Sequence, residues 1–481
     1  MEKPAVFEIR RNRNMDVKNR KQRNPSTAAT TEERREKKQF YHALFALVLP
    51  ITLQNFLNSA VNFADVFMLG FVGQSALSAV SLANQYQFIL HGIFFGISSG
   101  IVMLCSQYWG KGNLRAVQTV MGIAMKIGAV ITGVIAILAL TIPKYLMLVY
   151  TNDMELVEIG IGYLRLIGVS YFIMGFSTVY ESTLRSVEKA LTSTLISGSA
   201  LLLNVFLNAV FIFGLFGAPV LGVYGVAIAT LIARCIELLV CIVHLLSGKV
   251  IRLDLKVLLG GNRELFRDFL KYSLPALMND IFWTLAFSTY SIILGHLNSD
   301  VVAANAVATN VRDLCSILCF GLANGGAVLL GKTIGEHRLE EAERMAGRLC
   351  RLSLLIGALT GVLILALRPL IPYLFDLTDT AVYYMKGMLL ISSYYVIGQS
   401  INTLLIAGVF RAGGNSRFGL ICDVVVMWCV SVPLGFLSAF VFDAPPMVVY
   451  FILCLDEFWK IPAVTRQYRS RKWLKDITRE M

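Results

Sequence analysis

Between Pro50 and Gly70 a mostly apolar stretch carries Asn58, Asn62 and Asp65, four and three residues apart. That spacing sets the three side chains on one face of a helix. No Lys or Arg lies within the stretch to neutralise the acid. A carboxylate deep in an apolar helix is costly unless it is paired or faces a cavity, so Asp65 is a functional candidate by default. Asn204 and Asn208 repeat the one-turn spacing in a later apolar stretch. Carboxylate and amide oxygens suit hard cations: one carboxylate neutralises one sodium ion, and equally accepts one proton. The sequence supports both. Asp280 is a second intramembrane acid, beside Asn279 and three residues before Trp283. It is a candidate to line a cavity as a substrate or coupling group. Asp423, about two turns into another apolar segment, is a further cavity candidate.

Other charges read as structural. Glu181 with Arg185, Arg234 with Glu237, and Glu457 with Lys460 are one-turn pairs that satisfy each other. Lys126, Arg165 and Lys386 lie near helix ends and reach the interface. Arg312 and Asp313 are adjacent, so they point apart and need other partners. His91 and His244 read as packing or interfacial residues. The Gly-rich "GLANGG" lies inside an apolar span, and no GxxxxGK[ST] motif occurs. ATP is therefore not expected to drive the protein, no cofactor beyond a coupling Na+ or H+ is expected, and no enzyme activity.

The elements holding these residues must be membrane helices. The 481 residues are 56% hydrophobic, with mean hydropathy +0.66 and 15% charged. Soluble chains are about a quarter charged. Apolar runs of spanning length recur at about 42–70, 76–106, 117–142, 158–184, 190–215, 221–247, 267–295, 301–331, 347–368, 382–409, 417–440 and 446–466. The fold class is all-α integral membrane with twelve transmembrane helices. The nine cysteines are scattered without a CxxC pair and read as reduced packing residues.

Twelve spans alternate their connections between two sides. The side with both termini collects 36 Lys and Arg, and the other side two. By the positive-inside rule both termini are cytoplasmic. The net charge of +12 then reflects topology and contact with the lipid bilayer, not nucleic-acid binding.

A shift of 225 residues superimposes Leu49–Pro50 on Leu274–Pro275, Leu69–Gly70 on Leu294–Gly295, Gly96 on Gly321, Gly100 on Gly325 and Gly110 on Gly335. The chain is read as two six-helix parallel repeats around a central cavity, an arrangement typical of transporters. The expected divisions are a basic tail, 1–41, a six-helix lobe, 42–247, a linker, 248–266, a second lobe, 267–466, and a basic tail, 467–481. Pro50 and Pro275 are expected to kink their helices. At the 225 shift Asp65 falls on Tyr290 and Asp280 on Asn55.

The segments "NFADVFMLGFVGQSALSAVSLA", "GKGNLRA", "LRSVEKALTSTLISGSALLLNVFLNAVFIFG", "GVYGVAIATLIA" and "VAANAVATNVRDL" bring out a resemblance. The chain resembles the bacterial multidrug and toxic compound extrusion (MATE) transporters over about residues 40–466. That resemblance implies a secondary-active antiporter in the cell (inner, cytoplasmic) membrane, driven by sodium or protons. It also implies a monomer exporting small organic cations or drug-like compounds. It would place Asp65, Asn204, Asn208 and Thr230 around the coupling ion, with Asp65, Asn204 and Asn208 as Na+ ligands. Asn62, Asp280, Trp283, Tyr290 and Asp423 are the substrate or cavity candidates. One position departs from the pattern: Asn208 stands where many relatives have Asp, leaving one carboxylate where they have two. The rival readings are a flippase for a lipid-linked carbohydrate or other polar lipid, and a non-transport receptor or sensor.

Overall fold

A computed structural model describes residues 25–248, 250, 254–374 and 377–480. The chain folds into helices connected mostly by short loops. We number them α1 (Pro25–Val72), α2 (Gln74–Gly110), α3 (Leu114–Thr141), α4 (Met154–Ser186), α5 (Ala190–Phe213), α6 (Val223–Leu246), α7 (Arg263–Gly295), α8 (Ser299–Gly335) and α9 (Leu339–Leu367). Next come α10 (Asp379–Thr403), α11 (Ser416–Asp423), α12 (Pro446–Leu453) and α13 (Asp456–Arg469). Helix α1 begins at Pro25, upstream of the expected residue 42, and residues 1–24 of the expected tail lie outside the described residues. Both α1 and α7 continue through their internal prolines.

Among the described residues eleven helical segments are long and apolar enough to cross a membrane. The twelfth expected span, 446–466, is divided. Helix α12 stops at Leu453, Cys454 and Leu455 form a turn, and α13 starts at Asp456. Two other spans in the second half are also irregular. Helix α10 widens into π-helical turns over Leu404–Phe410, and α11 does so over Val424–Ser431 before resuming as Val432–Phe440. Wider turns of this kind recur at functional sites. Among the described residues the spans of the first half contain none.

The glycines that kept register in the sequence lie on a seam between the two halves. A side chain at Gly96 of α2 would strike Leu277 of α7, and one at Gly321 of α8 would strike Thr52 of α1. Gly100 faces Ser273 while Gly325 faces Val48; Gly110 faces the Lys332 carbonyl while Gly335 faces that of Gln107. Each pair maps on the other at the 225-residue shift, so the seam is two-fold symmetric. Small residues let membrane helices approach closely enough to gain dispersion contacts, since lipid offers no hydrophobic drive. A second pairing repeats too. Arg185 donates to Gln54 Oε1 at 3.4 Å in the first half, and Arg411 donates to Asn279 Oδ1 at 3.0 Å in the second.

Candidate functional site

Helices α1, α5 and α6 bring the acid and the amides together. Asn208 Nδ2 donates to Asp65 Oδ1 at 2.7 Å and to Asn204 Oδ1 at 3.4 Å. Asn204 Nδ2 donates to Thr230 Oγ1 at 3.1 Å. The one-turn spacing of Asn204 and Asn208 explains the relay, because both amides project from one face of α5. Asn208 is fully buried, yet its Oδ1 has no hydrogen-bond partner. A buried amide oxygen of this kind can accept from one further donor or ligate a cation.

Asp65, Asn204 and Thr230 open on a cavity of about 480 Å³. Asn62 lines it, as do Asn84 and Tyr163, whose hydroxyl donates to Asn84 Oδ1 at 3.0 Å. His91 also borders this cavity, although its isolation in the sequence suggested packing. Arg234 reaches the wall already paired, 2.7 Å from Glu237. Besides the Arg234–Glu237 pair, the site therefore combines one carboxylate without a cationic partner, Asp65, with several neutral oxygens and no free cation among the described residues, a donor set suited to a small hard cation or a proton.

The remaining candidates lie in the second half. Trp283 and Tyr290 line a cavity of about 240 Å³ together with Arg312 and Tyr395. Asp280 is held by Arg411, with Nη2 2.7 Å from Oδ1. Asp423 is buried, accepting from Asn279 at 2.5 Å and lying 3.0 Å from Lys460 Nζ. These two acids are thus spoken for by cations rather than turned towards either cavity. Arg312 and Asp313 were expected to point apart, but the long guanidinium folds back onto its neighbour at 3.1 Å while resting over the Phe287 and Tyr395 rings.

The family model MatE matches the chain twice, over residues 50–210 and 275–437, once on each half. The chain belongs to the MatE family. Among curated proteins, this MatE protein is similar to the uncharacterized transporter YisQ of Bacillus subtilis, 24% identical over 436 residues, spanning 90% of this chain and 95% of that one. It is 24% identical over 449 residues to the probable multidrug resistance protein NorM of Thermotoga maritima, covering 91% and 94%. To the multidrug resistance protein NorM of Aliivibrio fischeri it is 26% identical over 422 residues, covering 85% and 89%. Among solved structures, a MATE transporter in a straight conformation superimposes with TM-score 0.81 at 19% identity, covering 89% of this chain and 95% of that one. An outward-facing MATE multidrug resistance transporter gives TM-score 0.81 at 20% identity with the same coverage. The MatE fold is thus that of an all-α membrane protein built of two repeats.

Sequence reasoning passed over one group of residues. Glu457 and Lys460 read as a self-satisfying pair, with Asp456 left unremarked, but Lys460 also reaches Asp423 on α11 and Asp456, and Glu457 Oε2 accepts from Asn402 of α10 at 2.7 Å.

Proposed function

We propose that this protein is a cation-coupled exporter of amphipathic, mostly cationic organic compounds, working by alternating access, with Asp65 as the coupling carboxylate of the first half. The observation that carries the reading is the relay Asp65–Asn208–Asn204–Thr230 on the wall of the 480 Å³ cavity. Asp65 holds a proton or a sodium ion. Its neutralisation frees the Asn208 amide from a charge-assisted hydrogen bond and alters how α1 is held against α5. The termini are cytoplasmic in this reading, and the protein sits in the cell membrane. The glycine seam then closes the cytoplasmic side, and the substrate leaves on the other.

A flippase for an anionic lipid-linked sugar would require unpaired cations facing the cavity. The cavity wall offers Arg234, which Glu237 neutralises.

The test is transport of a fluorescent organic cation in inside-out vesicles, with sodium and pH gradients imposed separately. Wild type should concentrate the dye under one gradient, and Asp65→Asn should lose that dependence while retaining expression and thermal stability. Gradient-driven transport persisting in Asp65→Asn would refute the assignment.

A further inference from the structure

At the membrane end that carries the C-terminus, positive charge collects around one hollow. Lys271 of α7, Arg417 of α11, and Lys472 and Lys475 of the C-terminal segment line a cavity of about 250 Å³. Lys271 and Arg417 also line an adjoining hollow of about 620 Å³, whose wall includes Leu270 and Leu274 of α7. None of the four cations has an acidic partner among the described residues. Lys271 Nζ rests 5.2 Å over the Tyr272 ring, a contact that supplies no counter-charge. The acids nearby are engaged. Asp268, on the wall of the larger hollow, is held by Arg479 at 2.5 Å, and Glu264 by the same guanidinium at 2.8 Å. Asp476 lies 3.0 Å from Lys111.

A solvated basic face needs no construction, but this hollow is built from three separate segments. Ser416 Oγ donates to the Tyr272 carbonyl at 2.9 Å, which fastens the start of α11 to α7. The turn before α11 carries Gly413 and Gly414, the latter with φ +73°. A side chain at Gly413 would strike the Trp473 carbonyl, and one at Gly414 would strike Ile477 and Tyr272. The two glycines thus let the C-terminal segment lie directly on the turn. Gln107 holds that segment by the Lys475 carbonyl at 3.2 Å and the Ile477 amide at 2.9 Å. Lys472 and Lys475 are thereby presented to the same space as Lys271 and Arg417. Asn415, at the N-cap position of α11, lines the cavity and makes no capping hydrogen bond. The leading N–H groups of that helix are open to another acceptor, and an anion suits them.

The surroundings select the kind of anion. Leu270 and Leu274 lie one turn apart on one face of α7, 39% and 51% exposed, on either side of Lys271 in the chain. Helix α7 is one of the segments long and apolar enough to cross a membrane, so acyl chains cover this face. A phosphoryl group carried on acyl chains fits both the basic hollow and the apolar strip, whereas a free phosphate fits the hollow alone. Basic pockets between membrane helices take headgroups of this kind. In the topology proposed above this is the cytoplasmic leaflet, where anionic headgroups concentrate.

We infer that Lys271, Arg417, Lys472 and Lys475 bind the phosphoryl headgroup of an anionic phospholipid, with its acyl chains along Leu270 and Leu274. The headgroup bridges the C-terminal segment to α7 and α11. The site stands apart from the Asp65 cavity and does not rest on the transport reading.

The test uses purified full-length protein in micelles doped with equal amounts of phosphatidylglycerol and phosphatidylcholine, with retained lipid counted by native mass spectrometry. Wild type should retain one phosphatidylglycerol in preference to phosphatidylcholine. Each Lys or Arg near an anionic headgroup is worth roughly fivefold, so Lys271→Gln with Arg417→Gln should weaken retention roughly 25-fold, and Lys472→Gln with Lys475→Gln likewise. Lys271→Arg keeps the charge and should keep the lipid. Arg115→Gln with Lys189→Gln removes the same charge at the starts of α3 and α5, away from the hollow, and should leave retention unchanged. Leu270→Ser with Leu274→Ser should weaken retention, and added inorganic phosphate should not displace the lipid. The four cations are exposed, so their variants should fold, with unfolding midpoints in phosphatidylcholine alone equal to that of wild type. No preference for phosphatidylglycerol in wild type, or equal loss in the Arg115 and Lys189 variant, overturns the inference. A site that inorganic phosphate empties while the leucine variant binds as wild type would belong to a soluble phosphoryl compound and would overturn the lipid assignment.

Discussion

Arg411 donates from Nη1 to Ser99 Oγ at 2.7 Å and from Nη2 to Asp280 at 2.7 Å, and it is almost wholly buried. Ser99 belongs to the first half and Asp280 to the second, so one guanidinium ties helices of both. Removing it leaves Asp280 as an uncompensated acid. Arg411→Ala should therefore cost about 3 kcal/mol, the low end for breaking a buried pair because Asp280 keeps some exposure. Adding Asp280→Asn should restore much of that loss. Thermal unfolding of the single and double variants in detergent checks this, and a double variant no more stable than Arg411→Ala would count against the pairing. At this scale the sequence displayed Asp65, Asn204 and Asn208 plainly, because a helix repeats every three to four residues and a lone acid among apolar residues stands out. Asp456 was hidden for the same reason reversed. Lys460 sits one turn away, whereas the carboxylates that compete for that lysine are Asp423 of α11 and Glu457 of the same turn, and spacing along one helix cannot reveal Asp423.

The helices were legible as elements because bilayer thickness sets a length that apolar runs either reach or do not. The glycine register was legible too, and the seam explains it: each glycine admits a neighbour from the other half. The interruption after Leu453 and the π-helical turns were not legible. The π-helical turns carry no proline or charge, and the charged residues after Leu453 fit one unbroken helix by their spacing; both features depend on how α10, α11 and α13 pack. The seam yields a prediction of its own. Gly335→Val places methyl groups against the Gln107 backbone, which cannot yield as a flexible side chain would. Overpacking of this kind costs about 1–3 kcal/mol. It falls only on the state in which the seam is closed, so the opposite state gains population. A cysteine placed at Asn62, in the cavity of the first half, should react more slowly with an impermeant thiol reagent in Gly335→Val than in the parent, and equal rates would show that the seam does not close a gate.

Across the whole of the unit from Leu47 onward, the C-terminal segment ties the halves together. Trp473 is fully buried beside Gly413. Gln107 of α2 donates to the Lys475 carbonyl at 3.2 Å and accepts from the Ile477 amide at 2.9 Å, while Arg479 pairs with Asp268 and Glu264 of α7. Asp476 lies 3.0 Å from Lys111 and 3.5 Å from His337. Burial works against its charge, but hydrogen bonds from Thr478 and Lys111 prevail and hold its carboxyl below the usual carboxylate range. A depressed value means that its contribution is complete above the unperturbed value near pH 4 and fades only as pH falls below that. The segment should thus stay docked from pH 8 to pH 5. Amide exchange of residues 473–480 should show equal protection at both ends of this range; loss of protection at pH 5 would contradict this. A pH dependence of transport in that window then has its origin outside this segment. The divided last span has a consequence for biogenesis. Asp, Lys and their like each add about 2.5–3.5 kcal/mol to the insertion of a helix at its centre. With Asp456, Glu457 and Lys460 clustered at its break, this span enters lipid poorly by itself. It leaves the ribosome after α7, α10 and α11, which already stand in the membrane with Asn279, Asn402 and Asp423 to receive it. The order of synthesis thereby supplies the partners that its composition demands.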